Sequence, residues 1–176
     1  MFSTKNLSYT ALLTTLLIVL GFIPAIPLGF IPVPIVLQNM GVMIIALFLG
    51  ARFGTLAMGL FFILGLIFPV FSGTKTLIPV LVGPTAGYVI AWFFVPLVLF
   101  LCQRLVSSKS SFTNYMIVWL VGVIFVDLIG AIWLSFYTKM PLSAALLSNV
   151  TFIPLDTIKA VLTTYLFSRF SHSRLN

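Results

Sequence analysis

Asp156 and Lys159 stand three residues apart in the hydrophobic stretch from Asn149 to Phe170, a spacing that puts both on one face of a helix. The chain has only two acidic residues, and Asp156 is one of them. A charge near the bilayer centre costs about 2.5–3.5 kcal/mol on insertion scales. An i,i+3 ion pair returns only about 0.2–0.5 kcal/mol in water. Low dielectric strengthens the attraction but also raises the desolvation cost of both ions. The pair is a poor stability device and a good place for a polar ligand.

Other groups could join it. Gln38 and Asn39 offer amide donors and acceptors, and two readings stay open for them: ligand binding, or hydrogen bonding between helices. Two helix starts carry proline near the first turn, Gly83-Pro84-Thr85-Ala86-Gly87-Tyr88 and Pro154 just before Asp156. Unsatisfied N–H groups at such ends favour an acidic ligand group. Thr85 has a weaker claim, because threonine often bonds its own helix. Tyr88 and Trp92, four apart, could pack a ring, although aromatic residues are routine at a membrane interface. Asp127, the other acid, lies inside an apolar stretch and reads as a structural partner for a buried donor, with a second site residue as the alternative.

The exclusions are equally informative. There is no metal-ligand cluster, no nucleophile–base pair and no Gly-x-x-x-x-Gly-Lys-Ser/Thr loop, so neither a catalytic site, a metal, a cofactor nor an ATPase is expected of this chain. Cys102, the single cysteine, reads as a small buried hydrophobe, and His172 as a solvated tail residue.

The frame around these groups follows from composition. Of 176 residues, 61 % are hydrophobic and 6 % charged, with a mean hydropathy of +1.27. That is an integral membrane protein. At about 20 apolar residues per span, the chain fits an all-α bundle of six transmembrane helices forming a single domain over 1–176. The expected spans are Leu7–Ile23, Ile35–Leu49, Thr55–Phe68, Pro84–Arg104, Tyr115–Tyr137 and Asn149–Phe170. The first has no small-x-small cleavage site and reads as an anchor rather than a signal peptide. Gly50-Ala51-Arg52-Phe53-Gly54 makes the second and third a tight antiparallel hairpin.

Sidedness comes from the basic residues. With the N-terminus inside, Lys5, Arg52, Arg104, Lys109, Arg169 and Arg174 are cytoplasmic, whereas Lys75 and Lys139 face outside. Both termini are then cytoplasmic. The net charge of +7 is mostly this bias, and the chain lacks the basic solvated surface that nucleic acid requires. The outward loops, residues 21–34 and 69–83, are proline- and glycine-rich yet apolar. Interfacial anchoring is one reading of them; a pair of lids over an outward-facing pocket is preferred here.

Four stretches taken together resemble the BioY family, the biotin-specific S components of energy-coupling factor (ECF) transporters. They are Val33-Pro34-Ile35-Val36-Leu37-Gln38, Leu49-Gly50-Ala51-Arg52-Phe53-Gly54, Gly83-Pro84-Thr85-Ala86-Gly87-Tyr88 and Pro154-Leu155-Asp156-Thr157-Ile158-Lys159-Ala160. Val36, Ala51, Ala86 and Leu155 depart from the usual family residues, as does the Ser72-Gly73-Thr74-Lys75 lid. The resemblance implies a bacterial cytoplasmic-membrane protein that binds biotin near its outer face and has no enzymatic activity. Its implied partners are membrane lipids, a transmembrane coupling subunit and two cytoplasmic ATPases. The substrate-binding set is then Asp156, Lys159, Gln38, Asn39, Gly83, Thr85, Tyr88, Trp92 and Ser72. Ala11 and Thr15 on the first helix would face the coupling subunit. Biotin suits the pair, since Asp156 can accept ureido N–H groups while Lys159 can donate to the ureido oxygen. A proton-coupled secondary transporter using Asp156 and Asp127 is the rival reading, and a scaffold whose polar residues only join helices is a third.

Overall fold

Ser3 opens the first helix, α1 (Thr4–Gly21), by accepting a hydrogen bond from the Asn6 N–H. The computed structural model describes residues 3–106 and 110–172, so Lys109 and Arg174 lie outside the described residues, as does the side chain of His172. On α1 the buried positions Thr10, Leu13, Thr14, Leu17 and Leu20 recur every three or four residues. Thr10, Thr14 and Thr15 each donate to the carbonyl four residues back, which leaves no hydroxyl among them unpaired in an apolar setting.

A long helical run follows, α2 (Gln38–Ile67), but it is broken at Gly50, where φ is 67° and ψ −168°. Only glycine enters that backbone region without strain. An unbroken 30-residue helix would be about 45 Å long. Instead the Gln38 side chain, at one end, donates at 2.9 Å to the carbonyl of Val70, just past the other. The expected hairpin is therefore present, with arms over 38–49 and 51–67.

After the short helix α3 (Leu77–Leu81) come α4 (Ala86–Leu105) and α5 (Ser111–Trp119). A π-helical segment (Leu120–Phe125) then leads without interruption into α6 (Val126–Thr138). The last two helices, α7 (Leu142–Asn149) and α8 (Ile153–His172), meet at a 52° bend. The expected spans are recovered with shifted ends. Pro84 and Thr85 precede α4 rather than open it, and the sixth span is bent, since the chain turns at Val150-Thr151-Phe152 between α7 and α8. Neither α3, α7 nor the π segment is expected from the sequence.

Among the described residues, three runs are long and apolar enough to cross a membrane: Gln38–Ile67, Ala86–Leu105 and Ser111–Thr138. The bent pair Leu142–Asn149 and Ile153–Phe170 makes a fourth. With α1 and the fold at Gly50, the rods of the bundle number six, as the sequence implies. β-pairing among the described residues is limited to two isolated antiparallel bridges, Ile26–Ile35 and Phe71–Lys75.

The core sits where α4 packs between α2 and α6 and where α8 lies against α2 and α5. Leu17, Met43, Phe61, Val95, Leu99, Val123 and Leu134 are fully buried there. The approach of α4 to α6 is close because Gly130 has no side chain: a β-carbon there would fall 2.1 Å from the Tyr88 ring. Leu12, Ile63, Phe136 and Ile158 are exposed. Such apolar faces are ordinary for a surface that meets lipid.

Candidate functional site

A cavity of about 130 Å³ opens between the starts of α2, α4, α6 and α8 and both proline- and glycine-rich loops. Every sequence-predicted substrate residue lines it: Asp156, Lys159, Gln38, Asn39, Gly83, Thr85, Tyr88, Trp92 and Ser72. Ala11 and Thr15 are elsewhere, exposed on the outer face of α1.

Asp156 lies in the first turn of α8, and one turn later Lys159 reaches back to it with Nζ 2.5 Å from Oδ1. Both are buried, at 7 % and 6 % exposure. Lys159 also donates at 2.7 Å to the carbonyl of Val36, which ties the first loop to α8. One of its three N–H groups is left over. Asn39 donates from Nδ2 to Asp156 Oδ2 and to the Gly122 carbonyl, each at 3.2 Å. Both partners are acceptors, so the amide orientation is fixed and Oδ1 has no donor partner among the described residues.

Gln38, by contrast, is used up. Its Nε2 donates to the carbonyls of Leu17 and Val70, and its Oε1 accepts from the Ser72 N–H at 3.1 Å. Of its two open roles, the structure engages it in joining α1 to the second loop. Ser72 is further anchored by donating from Oγ to the Ile23 carbonyl, so the two loops are fastened to each other. Gly83 accepts from the Trp133 indole at 2.9 Å.

On the far wall Tyr88 donates to Asn149 Oδ1 at 2.7 Å, and Asn149 Nδ2 donates to the main-chain oxygen of Asp127 at 2.7 Å. Tyr88 also meets Phe152 edge to face, with ring centroids 6.1 Å apart. For Asp127, of the two readings left open by the sequence, the structure favours the second: it lines the cavity, and its Oδ2 is buried without a hydrogen-bond partner among the described residues. Depth within a helix is visible in the sequence, but the direction of the side chain is not. The indole N–H of Trp92 is likewise buried and unpartnered among the described residues. Asn149, Phe152 and Lys75 also belong to the site and carried no predicted role. For Asn149 the available signal is a lone amide at the edge of an apolar run. Lys75 is exposed at the mouth. No group of three or more metal-ligating side chains occurs among the described residues.

A family model described as the BioY family matches residues 1–175. The chain belongs to the BioY family. It is 48 % identical over 169 residues to a biotin transporter BioY of Lactococcus lactis subsp. cremoris, covering 94 % of this chain and 89 % of that one. A biotin transporter BioY of Rhizobium etli is 34 % identical over 171 residues, with coverage of 93 % and 91 %. Among solved structures, the S component for biotin from an ECF-type ABC transporter superposes with a TM-score of 0.91 at 45 % identity. That match covers 98 % of this chain and 95 % of the other. The BioY fold thus accounts for the bundle, and the multi-pass membrane reading stands with it.

Proposed function

We propose that this protein is the biotin-binding S component of an ECF-type ABC transporter and takes biotin into the cell. The observation that carries the reading is the superposition on a biotin S component, with a largely apolar cavity that holds buried polar and charged side chains at one end of the bundle. As a BioY protein it is a transporter component and not an enzyme. The cavity residues suit biotin chemically. Asp156, Lys159, Asn39, Tyr88, Trp92, Thr85, Gly83, Gln38 and Ser72 form its polar and aromatic lining, and loops 21–34 and 69–83 act as lids. Exposed Lys75 at the mouth supplies a cation for the valerate carboxylate.

Energy comes from a transmembrane coupling subunit, met through Ala11 and Thr15, and two cytoplasmic ATPases. The whole sits among the lipids of a bacterial cytoplasmic membrane, with 1–176 acting as one domain. Both termini are cytoplasmic in this reading, which the placement of charge supports. Lys5, Arg52, Arg104 and Arg169 lie toward the end opposite the cavity, and Lys75 and Lys139 toward the cavity end. Cysteines placed at 75 and 139 in a background lacking Cys102 should react with an impermeant thiol reagent on intact cells, and a cysteine at 109 should not.

Titration calorimetry of the purified protein tests the function: saturable biotin binding is expected, with copurification of ATPase subunits from the native membrane. Uptake by the chain alone, abolished by a protonophore, would favour proton coupling through Asp156 and Asp127 instead.

A further inference from the structure

The turn that ends α6 has a hollow of its own, which shares no residue with the cavity described above. This groove, of about 720 Å³, runs between Leu81 and Val82 at the end of α3 and Trp133, Phe136 and Met140 from α6 and its turn. Its walls are mainly apolar, and Lys139 is the one cation among its lining residues. The space falls within the roughly 300–1,000 Å³ of small-molecule sites. Phe136 is 79 % exposed and Val82 68 %, so the groove opens outward on the bundle surface.

It is held in shape before anything enters it. The Trp133 indole donates at 2.9 Å to the Gly83 carbonyl, which joins the two walls. Ser135 Oγ donates at 2.8 Å to the Met140 carbonyl and fixes the turn. Lys139 caps α6 in the left-handed region, with φ of 59°, and its side chain is exposed. That lysine has no carboxylate to meet. The chain has two acidic side chains, Asp127 and Asp156, and both line the other cavity. Asp127 is about 18 Å back along α6, at 1.5 Å per residue.

A lone cation beside an apolar groove, on a surface that meets lipid, matches an anionic headgroup joined to a hydrocarbon chain. Trp133 and Tyr137 agree, since both residue types gather where headgroups meet hydrocarbon. We infer that this groove binds an anionic phospholipid, with an acyl chain along Leu81, Val82, Phe136 and Met140 and the headgroup phosphate on Lys139. The lipid belongs to the outer leaflet under the sidedness proposed above. It lies against the back of loop 69–83, whose Val80 and Gly83 line the other cavity. The preformed walls and the fixed turn lower the ordering cost of binding.

Quenching of Trp133 fluorescence by brominated lipids tests the assignment without any solute in the other cavity. The chain has three tryptophans, so Trp92→Phe with Trp119→Phe leaves Trp133 as the only reporter. In phosphatidylcholine vesicles, phosphatidylglycerol with dibrominated chains should quench as though enriched roughly fivefold over dibrominated phosphatidylcholine at equal mole fraction. Lys139→Asn removes the cation, and asparagine tolerates the left-handed backbone, so the preference should fall to parity. Lys139→Arg should keep it, and so should Lys75→Gln, which removes a cation outside the groove. A preference absent from the reporter protein, or surviving Lys139→Asn, would overturn the site. Equal loss in Lys75→Gln would show attraction by general surface charge and overturn it too. Trp133 quenched by neither lipid, in a protein that cross-links as a dimer, would show a second copy in the groove and not a lipid. Thermal unfolding in nanodiscs repeats the test with all three tryptophans in place. Phosphatidylglycerol should raise the melting temperature above its value in phosphatidylcholine for the parent and not for Lys139→Asn. Equal melting temperatures of the parent in the two lipids would overturn the inference.

Discussion

Asp156 is held by two unlike donors, an ammonium on Oδ1 and an amide on Oδ2, so no substitution there removes a charge alone. Asp156→Asn would turn an NH₂ toward either Lys159 or the donor side of Asn39. Losing one partner of a buried, hydrogen-bonded charge pair costs about 2–5 kcal/mol at an interface. Biotin affinity should therefore fall roughly 30- to 5,000-fold at 1.4 kcal/mol per decade. Calorimetry on detergent-purified protein measures the loss, with thermal unfolding as the folding control. Binding within about threefold of the parent would remove Asp156 from the site. Lys159→Met strands the aspartate, so the losses in the double variant should be less than additive, as they are for contacting residues. This part of the site is legible in the sequence because an acid and a base one helical turn apart in an apolar run cost more to bury than their pairing returns. The choice between the two readings of Asp127 is not legible in the sequence, for an equally physical reason. The segment before it, Leu120 to Phe125, is uniformly apolar and gives no sign that it adopts π-helical geometry, which shifts the face presented by every residue after it.

At the scale of elements, the two cavity-lining loops and the α4–α6 contact shape the candidate site. The hairpin can be read from Gly50 to Gly54, but α3 and α7 are hidden because proline-rich loops and short helices share the same composition. Pro141 ahead of Leu142-Ser143-Ala144-Ala145 is the available start signal for α7. The cavity, at about 130 Å³, is smaller than the roughly 300–1,000 Å³ of typical small-molecule sites. The proposed closure of the loops over ligand would break the Ser72–Gln38 and Lys159–Val36 bonds on opening and re-form them on closing. Hydrogen exchange in residues 21–34 and 69–83 should slow in the presence of biotin. Protection confined to α8 would contradict closure by the loops. The α4–α6 contact has its own test. In Gly130→Ala the new methyl meets the Tyr88 ring, and overpacking of this kind costs about 1–3 kcal/mol. Moving the ring also breaks its bond to Asn149, so stability and biotin affinity should fall together. Adding Tyr88→Ala should return part of the stability, and binding should stay weak.

At the scale of the whole molecule, the bundle separates its tasks. The ligand groups gather at one end, while α1 presents an outer surface on which Ala11 and Thr15 are exposed and Leu12 is 61 % exposed. Thr15 satisfies its hydroxyl internally at 2.9 Å on the Ala11 carbonyl, so this stripe shows a neighbour only small, saturated side chains. Against lipid, such a stripe gains nothing from being small. Against another transmembrane helix it permits close backbone approach, which is how small-x-x-x-small pairs associate in membranes. A bulky residue should therefore harm only the state in which a partner is docked. Ala11→Trp and Thr15→Trp point away from the core, so the isolated protein should keep its melting temperature and should bind biotin within about twofold of the parent. Co-expressed with the coupling subunit and ATPases, the same variants should be recovered in the complex roughly tenfold less, and uptake in cells should fall in proportion. The second readout matters, because a merely destabilised protein would lose both. Normal recovery of the complex with both tryptophans in place would show that the coupling subunit does not dock on this face of α1. The exposed apolar side of α8, with Ile158 and Tyr165, would then be the next face to test.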